Sequence, residues 1–240
     1  MSERTRFGRP HRHLRLTDST NDRARALAEA QAPSGSVVTA GEQDAGRGRH
    51  GRRWSAPPGA ALLYSAVLRP LDHRHRLLPL AVPLAVCEAI ELLAPVACRV
   101  KWPNDVWIDG RKVAGVLIEA RPPDWAVIGV GINLAIATDE FPSDLRWPAT
   151  SVGHGATPAA ARVALSDALG RWVEAEPDRV IEEFGRRDAL DGRDIAWDGG
   201  GDPARGSGVA AGVDAGGNLR VRMAGGELVS LGAGEVSLRL

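Results

Sequence analysis

A chain of 240 residues with 44% hydrophobic content can build one large domain, or one domain and a small module, around a real core. Its 30 basic and 30 acidic side chains cancel, so no global field recruits nucleic acid or an acidic membrane. No stretch reaches the roughly 18 uninterrupted apolar residues of a membrane span, and the basic amino terminus lacks an apolar leader core, so a cytoplasmic protein is expected.

In chain order, His13 to Leu16 reads as a short strand, and D-S-T-N then offers N-cap chemistry for a helix through Asp22 to Ala30. Ser36 to Ala40 and Ala60 to Arg69 read as strands. The arginine- and glycine-rich stretch Asp44 to Pro58 between them has no periodicity, and a loop of that length suits a lid or a disordered segment. Leu77 to Leu93 predicts a helix that Pro83 must either begin or kink. Val100 to Ile108 and Lys112 to Ala120 predict a hairpin about Asp109-Gly110, followed by a buried strand over Val127 to Asn133. Helices are expected near Pro158 to Glu174 and Pro177 to Arg187. Beyond about residue 190, glycine-rich turns separate short strands at 194–197, 207–213, 218–223, 227–231 and 235–239, the texture of a small barrel.

Three segments carry chemistry. Lysine occurs only at Lys101 and Lys112, against 28 arginines, and both flank the predicted hairpin. A lysine offers a compact, mobile point charge that can follow a carboxylate as it becomes an anhydride, where arginine is a rigid fork. Ideal pairing about Asp109-Gly110 sets Trp107 opposite Lys112 and Asp105 opposite Ala114, putting Lys101, Asp105 and Lys112 on one face; a surface charge ladder is the plainer reading. In G-R-G-R-H-G-R-R-W, Gly46 to Trp54, glycines let the backbone approach an anion while Arg47, Arg49 and Arg52 supply planar donors. A solvated loop or an RGG-like nucleic-acid contact would look the same. Ser19-Thr20-Asn21 caps a helix, or recognises a small polar ring, or both. Cys87 and Cys98 have no C-x-x-C spacing and no paired histidine, so two reduced, buried thiols are expected.

Together these segments resemble the biotin protein ligases: S-T-N (19 to 21), E-Q-x-A-G-R-G-R-x-G-R-x-W (42 to 54), K-W-P-N-D (101 to 105), R-K-V-A-G-V-L-I-E (111 to 119), G-V-G-I-N (129 to 133) and G-E-V-S-L-R (234 to 239). The resemblance implies an α+β fold. A mixed-sheet catalytic domain over 1–189, related to class II aminoacyl-tRNA synthetases, would precede an SH3-like domain over 190–240. It implies biotin contacts at Ser19, Thr20, Asn21, Gln43, Arg47, Gly48, Arg49 and Lys112. Nucleotide contacts carry over to Arg49, Arg52, Trp54, Lys101, Asn104, Lys112, Gly115, Asn133 and Arg239, with Lys112, Arg49 and Asp105 as the catalytic group.

It further implies ATP as co-substrate, Mg2+ arriving with ATP rather than in a protein-only metal site, and a biotin carboxyl carrier protein as acceptor. A monomer or homodimer fits equally. Because the first strand begins by residue 13, no helix-turn-helix domain is expected before it, and hence no repressor role and no sequence-specific DNA binding. A lipoate or octanoate ligase could use a similar K-x-A-G segment, and a nucleic-acid-binding protein would explain the arginine loop though not the lysine hairpin.

Overall fold

The computed structural model describes residues 6–143, 145–198, 205–232 and 235–238. The first sheet takes β1 (His11–Leu14), β2 (Val37–Ala40), β3 (Ala61–Leu68), β4 (Cys98–Lys101), β5 (Asp105–Ile108), β6 (Arg111–Arg121) and β7 (Trp125–Asn133) in the order β1-β2-β3-β7-β6-β5-β4. β1 pairs parallel to β2 and every other pair is antiparallel, which makes the sheet mixed.

Strand parity decides what each face does. On β7, Ala126, Ile128, Val130 and Ile132 enter the main core, where α2 (Leu78–Glu91), α3 (Pro158–Trp172) and α4 (Pro177–Arg187) cover the sheet. The alternate residues Trp125 and Val127 meet Ala24 and Ala28 of α1 (Thr20–Glu29) on the opposite face. Gly129, Gly131 and Asn133 continue that second face beyond the end of α1, where the sheet is left open. α2 is buried on nearly all sides, Pro83 included, so Pro83 lies inside the helix; Pro79 occupies its first turn.

The expected strand Val100 to Ile108 is instead two strands, β4 and β5, folded back through Trp102-Pro103-Asn104 with Lys101 directly opposite Asp105. Proline cannot donate to a ladder, and here it marks the turn itself. The hairpin about Asp109-Gly110 forms and Trp107 does pair with Lys112. Asp105, however, pairs with Gly115 rather than Ala114, because the register shifts between Val106 and Trp107. This β-bulge is decisive: Ala114 and Val116 face the core, and without an extra residue Lys112 would share their side. The bulge turns Lys112 onto the face of Gly115 and Leu117. Among smaller shifts, β1 runs His11–Leu14 rather than His13 to Leu16, and α1 already begins at Thr20.

The carboxy-terminal strands β8 (Asp194–Asp198), β9 (Arg205–Val213), β10 (Leu219–Arg222), β11 (Leu228–Leu231) and β12 (Glu235–Leu238) form an antiparallel sheet in the order β11-β10-β9-β8-β12. Its buried side, including Ile195, Trp197, Leu219, Val221 and Leu231, joins the main core without a break. Trp102 of the β4–β5 turn donates its indole N–H to the Gly217 carbonyl at 3.1 Å, fastening this sheet beside the lysine strands. Cys87 and Cys98 are free and buried. No helix among the described residues is long and apolar enough to cross a membrane.

Candidate active site

A cavity of about 240 Å³ opens on the sheet face beside the α1 N-terminus. Its floor follows one cross-strand row: Leu63 opposite Gly131, Gly131 opposite Gly115, Gly115 opposite Asp105. Two glycines in this face are required by what lies on them. A Cβ on Gly131 would meet Trp54 Cε2 at 2.3 Å, and one on Gly129 would meet Asn21 Oδ1 at 2.0 Å. The absence of those methyls lets the Trp54 indole and the Asn21 amide rest against the strand.

One end of the cavity is polar and uncharged. Ser19 holds the N-cap position of α1, yet its hydroxyl makes no capping bond. Capping falls instead to Gln43, whose Oε1 accepts from the Thr20 N–H at 2.7 Å and lies 3.0 Å from the Thr20 hydroxyl. The Ser65 hydroxyl donates to Asn21 Oδ1 at 2.6 Å and sits 2.8 Å from Thr20 Oγ1. Ser19, Thr20, Asn21 and Ser65 are all buried, so this hydrogen-bond array is preorganised rather than solvated.

The other end is charged. Lys112 Nζ lies 2.6 Å from Asp105 Oδ1 and 5.7 Å from the centroid of the Trp54 ring. Arg49 donates to Asn104 Oδ1 at 3.2 Å, and Asn104 in turn donates to the Val116 carbonyl at 2.8 Å, which fixes the loop to β6. Arg52 and Arg146 also line the cavity, close enough to this end to act on Lys101. The stretch expected to be an aperiodic lid is folded back on itself: Arg47 bridges Arg53, Gly48 donates to the Arg52 carbonyl at 2.7 Å, and Trp54 donates to the Gly46 carbonyl at 3.0 Å. A short 3-10 turn at Arg49–Gly51 forms its tip, where His50 takes the left-handed region at φ 56.

Of the residues singled out from sequence, Ser19, Thr20, Asn21, Gln43, Arg47, Gly48, Arg49, Arg52, Trp54, Asn104, Asp105, Lys112, Gly115 and Asn133 line this one cavity. Lys101 does not. Its ammonium lies behind the wall, 5.1 Å from the Trp147 ring centroid and 5.9 Å from that of Trp107, only 4% exposed. Burial pushes its pKa down to about 8, against the opposing pull of Asp105. Arg239 lies outside the described residues. Sequence reading passed over Ser65, Glu119 and the wall formed by Phe141, Leu145, Arg146 and Trp147. Parity could have found two of them, since Ser65 and Glu119 share the glycine face; the wall segment has no periodic signal. Among the described residues, no group of three His, Cys, Asp or Glu side chains is placed to hold a metal.

A mixed sheet with a glycine floor, a neutral polar end and a lysine- and arginine-lined end defines a site for a small elongated molecule carrying a polar head and an anionic tail. The chain belongs to the Biotin/lipoate A/B protein ligase family, which it matches over residues 13–133. It is 41% identical over 173 residues to the biotin--[acetyl-CoA-carboxylase] ligase of Paracoccus denitrificans, covering 66% of this chain and 71% of that one. Identity to the bifunctional ligase/repressor BirA of Bacillus spizizenii is 38% over 146 residues, 58% of this chain and 45% of that protein, so the chain spans about half the length of that curated relative. The fold superimposes on the biotin protein ligase from Aquifex aeolicus in complex with biotin and ATP with a TM-score of 0.78 at 28% identity, covering 95% of this chain and 98% of that one.

Proposed function

We propose that the protein is a biotin protein ligase that activates biotin with ATP as biotinyl-5′-AMP and transfers it to a lysine of a biotin carboxyl carrier protein. The observation that carries this reading is the polarity of the cavity. Ser19, Thr20, Asn21 and Gln43 offer matched donors and acceptors for a ureido ring, lining residues such as Leu63 and Leu117 give apolar surface for a hydrocarbon chain, and Lys112 with Arg49 waits where a carboxylate would lie. Lipoate and octanoate share the chain and the carboxylate but carry no ureido donors or acceptors to engage this polar end. Catalysis is assigned to 1–189, with 190–240 as a small accessory domain contributing Arg239.

In the first step a biotin carboxylate oxygen forms a bond to the α-phosphorus of ATP and the bond to pyrophosphate breaks. Lys112, Arg49 and Arg52 stabilise the negative charge that builds on the phosphate oxygens, with Trp54, Asn104, Gly115 and Asn133 shaping the nucleotide space. Mg2+ fits here as an ion carried by the phosphates, since such ions keep water and take one or two carboxylates at most, and Asp105 is the acid at this end. Its chemistry is neutralisation of phosphate charge. In the second step the neutral amine of the acceptor lysine attacks the acyl carbon, the acyl–oxygen bond to AMP breaks, and the proton lost from the nitrogen passes to solvent. Asp105, beside Lys112, receives the incoming amine. Folded over the cavity, the Gly46–Trp54 segment keeps water from the anhydride.

The test is transfer. Incubation with biotin, Mg-ATP and a purified biotin carboxyl carrier domain should add one biotinyl mass to that domain and none to its acceptor Lys→Arg variant. Unmodified carrier after many turnovers of ATP would overturn the assignment of the acceptor.

A further inference from the structure

We infer that Glu119 is a positioning residue of the activation step: with Asp22 it holds the Arg47 segment closed over the cavity, and through Asn21 it ties that closure to the cavity's polar end. The inference rests on the functional reading above and deepens it.

Glu119 stands at the outer end of β6 on the glycine face, where a half-buried acid in a sheet needs partners. Arg47 Nη1 is 3.0 Å from Glu119 Oε1 and 2.9 Å from Asp22 Oδ1, so carboxylates from a strand and from a helix converge on one loop guanidinium. The other oxygen of Glu119 accepts from Asn21 Nδ2 at 2.9 Å. Arg25 completes the group, 2.6 Å from Asp22 and 3.6 Å from Glu119. Two acids therefore face two guanidiniums when the segment is closed. Lifting the segment removes Arg47 and leaves both acids to Arg25 alone, an electrostatic preference for closure.

The same carboxylate orients the recognition amide. With Asn21 Nδ2 held by Glu119 and Asn21 Oδ1 by Ser65, the amide cannot flip without breaking a bond at each end. A ligand that pulls on Asn21 acts on Glu119, and Glu119 acts on Arg47. Single ion pairs at such exposure contribute little to stability. The expected role is accordingly in loop population and ligand retention, and the global fold should not depend on it.

Glu119→Gln keeps one acceptor for Asn21 but removes the charge and presents an amide donor to Arg47. Asp22→Asn removes the second acid without touching Asn21. In ligand-free protein, amide hydrogen exchange over residues 46–54 should quicken about fivefold in each variant, the scale of one lost ion pair, while α2 amides keep wild-type protection. Wild-type exchange rates over 46–54 in both variants would overturn the closure. In biotin-dependent ATP–pyrophosphate exchange, Glu119→Gln should raise the KM for biotin about tenfold and change kcat less than threefold, consistent with loss of binding rather than of chemistry. An unchanged KM with a lowered kcat would overturn the link to Asn21. A wild-type protein inert toward biotin would count against the functional reading, and the hydrogen-exchange result would still decide the latch.

Discussion

Replacing Gly131 by alanine should abolish most activity while leaving the sheet folded. The new Cβ would stand 2.3 Å from Trp54 Cε2 and 2.6 Å from Cζ2, whereas carbon atoms rest at about 3.5–4.0 Å, so the indole must retreat by roughly 1 Å. The strand beneath it cannot yield, because Gly131 is paired on both sides, with Leu63 and with Gly115. The ring can only rise into the space below Lys112, whose ammonium lies 5.7 Å from its centroid. Overpacking of this kind costs about 1–3 kcal/mol of stability. Misplacement by about 1 Å in a preorganised site can cost on the order of a hundredfold in rate. Biotin-dependent ATP–pyrophosphate exchange should fall by about that factor, with thermal denaturation still cooperative. Gly185→Ala is the comparison: a Cβ there meets nothing within 4 Å, so about 1 kcal/mol of added helix stability and unchanged exchange are expected. Exchange within threefold of wild type for Gly131→Ala would refute the placement of Trp54 on the glycine floor.

Lys112→Arg keeps a positive charge beside Asp105 but replaces a mobile ammonium with a larger planar fork. Single-turnover adenylate formation should drop far more than biotin affinity measured by calorimetry, and near-normal adenylate synthesis would contradict the role given to lysine. After turnover without acceptor, peptide mass spectrometry should find Lys101 essentially unlabelled, since it is 4% exposed, and Lys112 labelled weakly because its amine is held 2.6 Å from the Asp105 carboxylate. Heavy labelling of both would exclude that protection. Asp188 is buried with one carboxylate oxygen unpartnered, and burial raises its pKa to about 6. The folded state thus holds this proton more tightly than the unfolded chain, and stability should fall as pH rises from about 4 to about 6. The charged form costs about 3 kcal/mol above that range. Urea unfolding of Asp188→Asn should show a gain over wild type at pH 7.5 that vanishes by pH 4; an equal difference at both would contradict it.

Much of the fold was legible because parity and turn chemistry are local. Asp109-Gly110 announced its hairpin, the apolar run Val127 to Asn133 its buried strand, and Pro177 to Arg187 is helical over the residues expected. What was not legible depends on partners distant in sequence. The bulge that turns Lys112 toward Asp105 leaves no mark in R-K-V-A-G, since Val113 reads as one more strand residue. The shared face of the two charges was thus expected through the wrong pairing. Trp102 looked like part of a site motif and instead fastens the second sheet through Gly217. Glu119 sat inside a recognised segment without a role until Arg47, Asp22 and Asn21 were seen to meet on it.

The central claim is that this cavity activates biotin as an acyl-adenylate. Carboxylate-dependent ATP–pyrophosphate exchange on the purified protein, with biotin, lipoate, octanoate or no acid, tests it most directly. Exchange with biotin alone is the predicted result. Exchange with lipoate or octanoate in its place, or with no acid at all, would contradict the account.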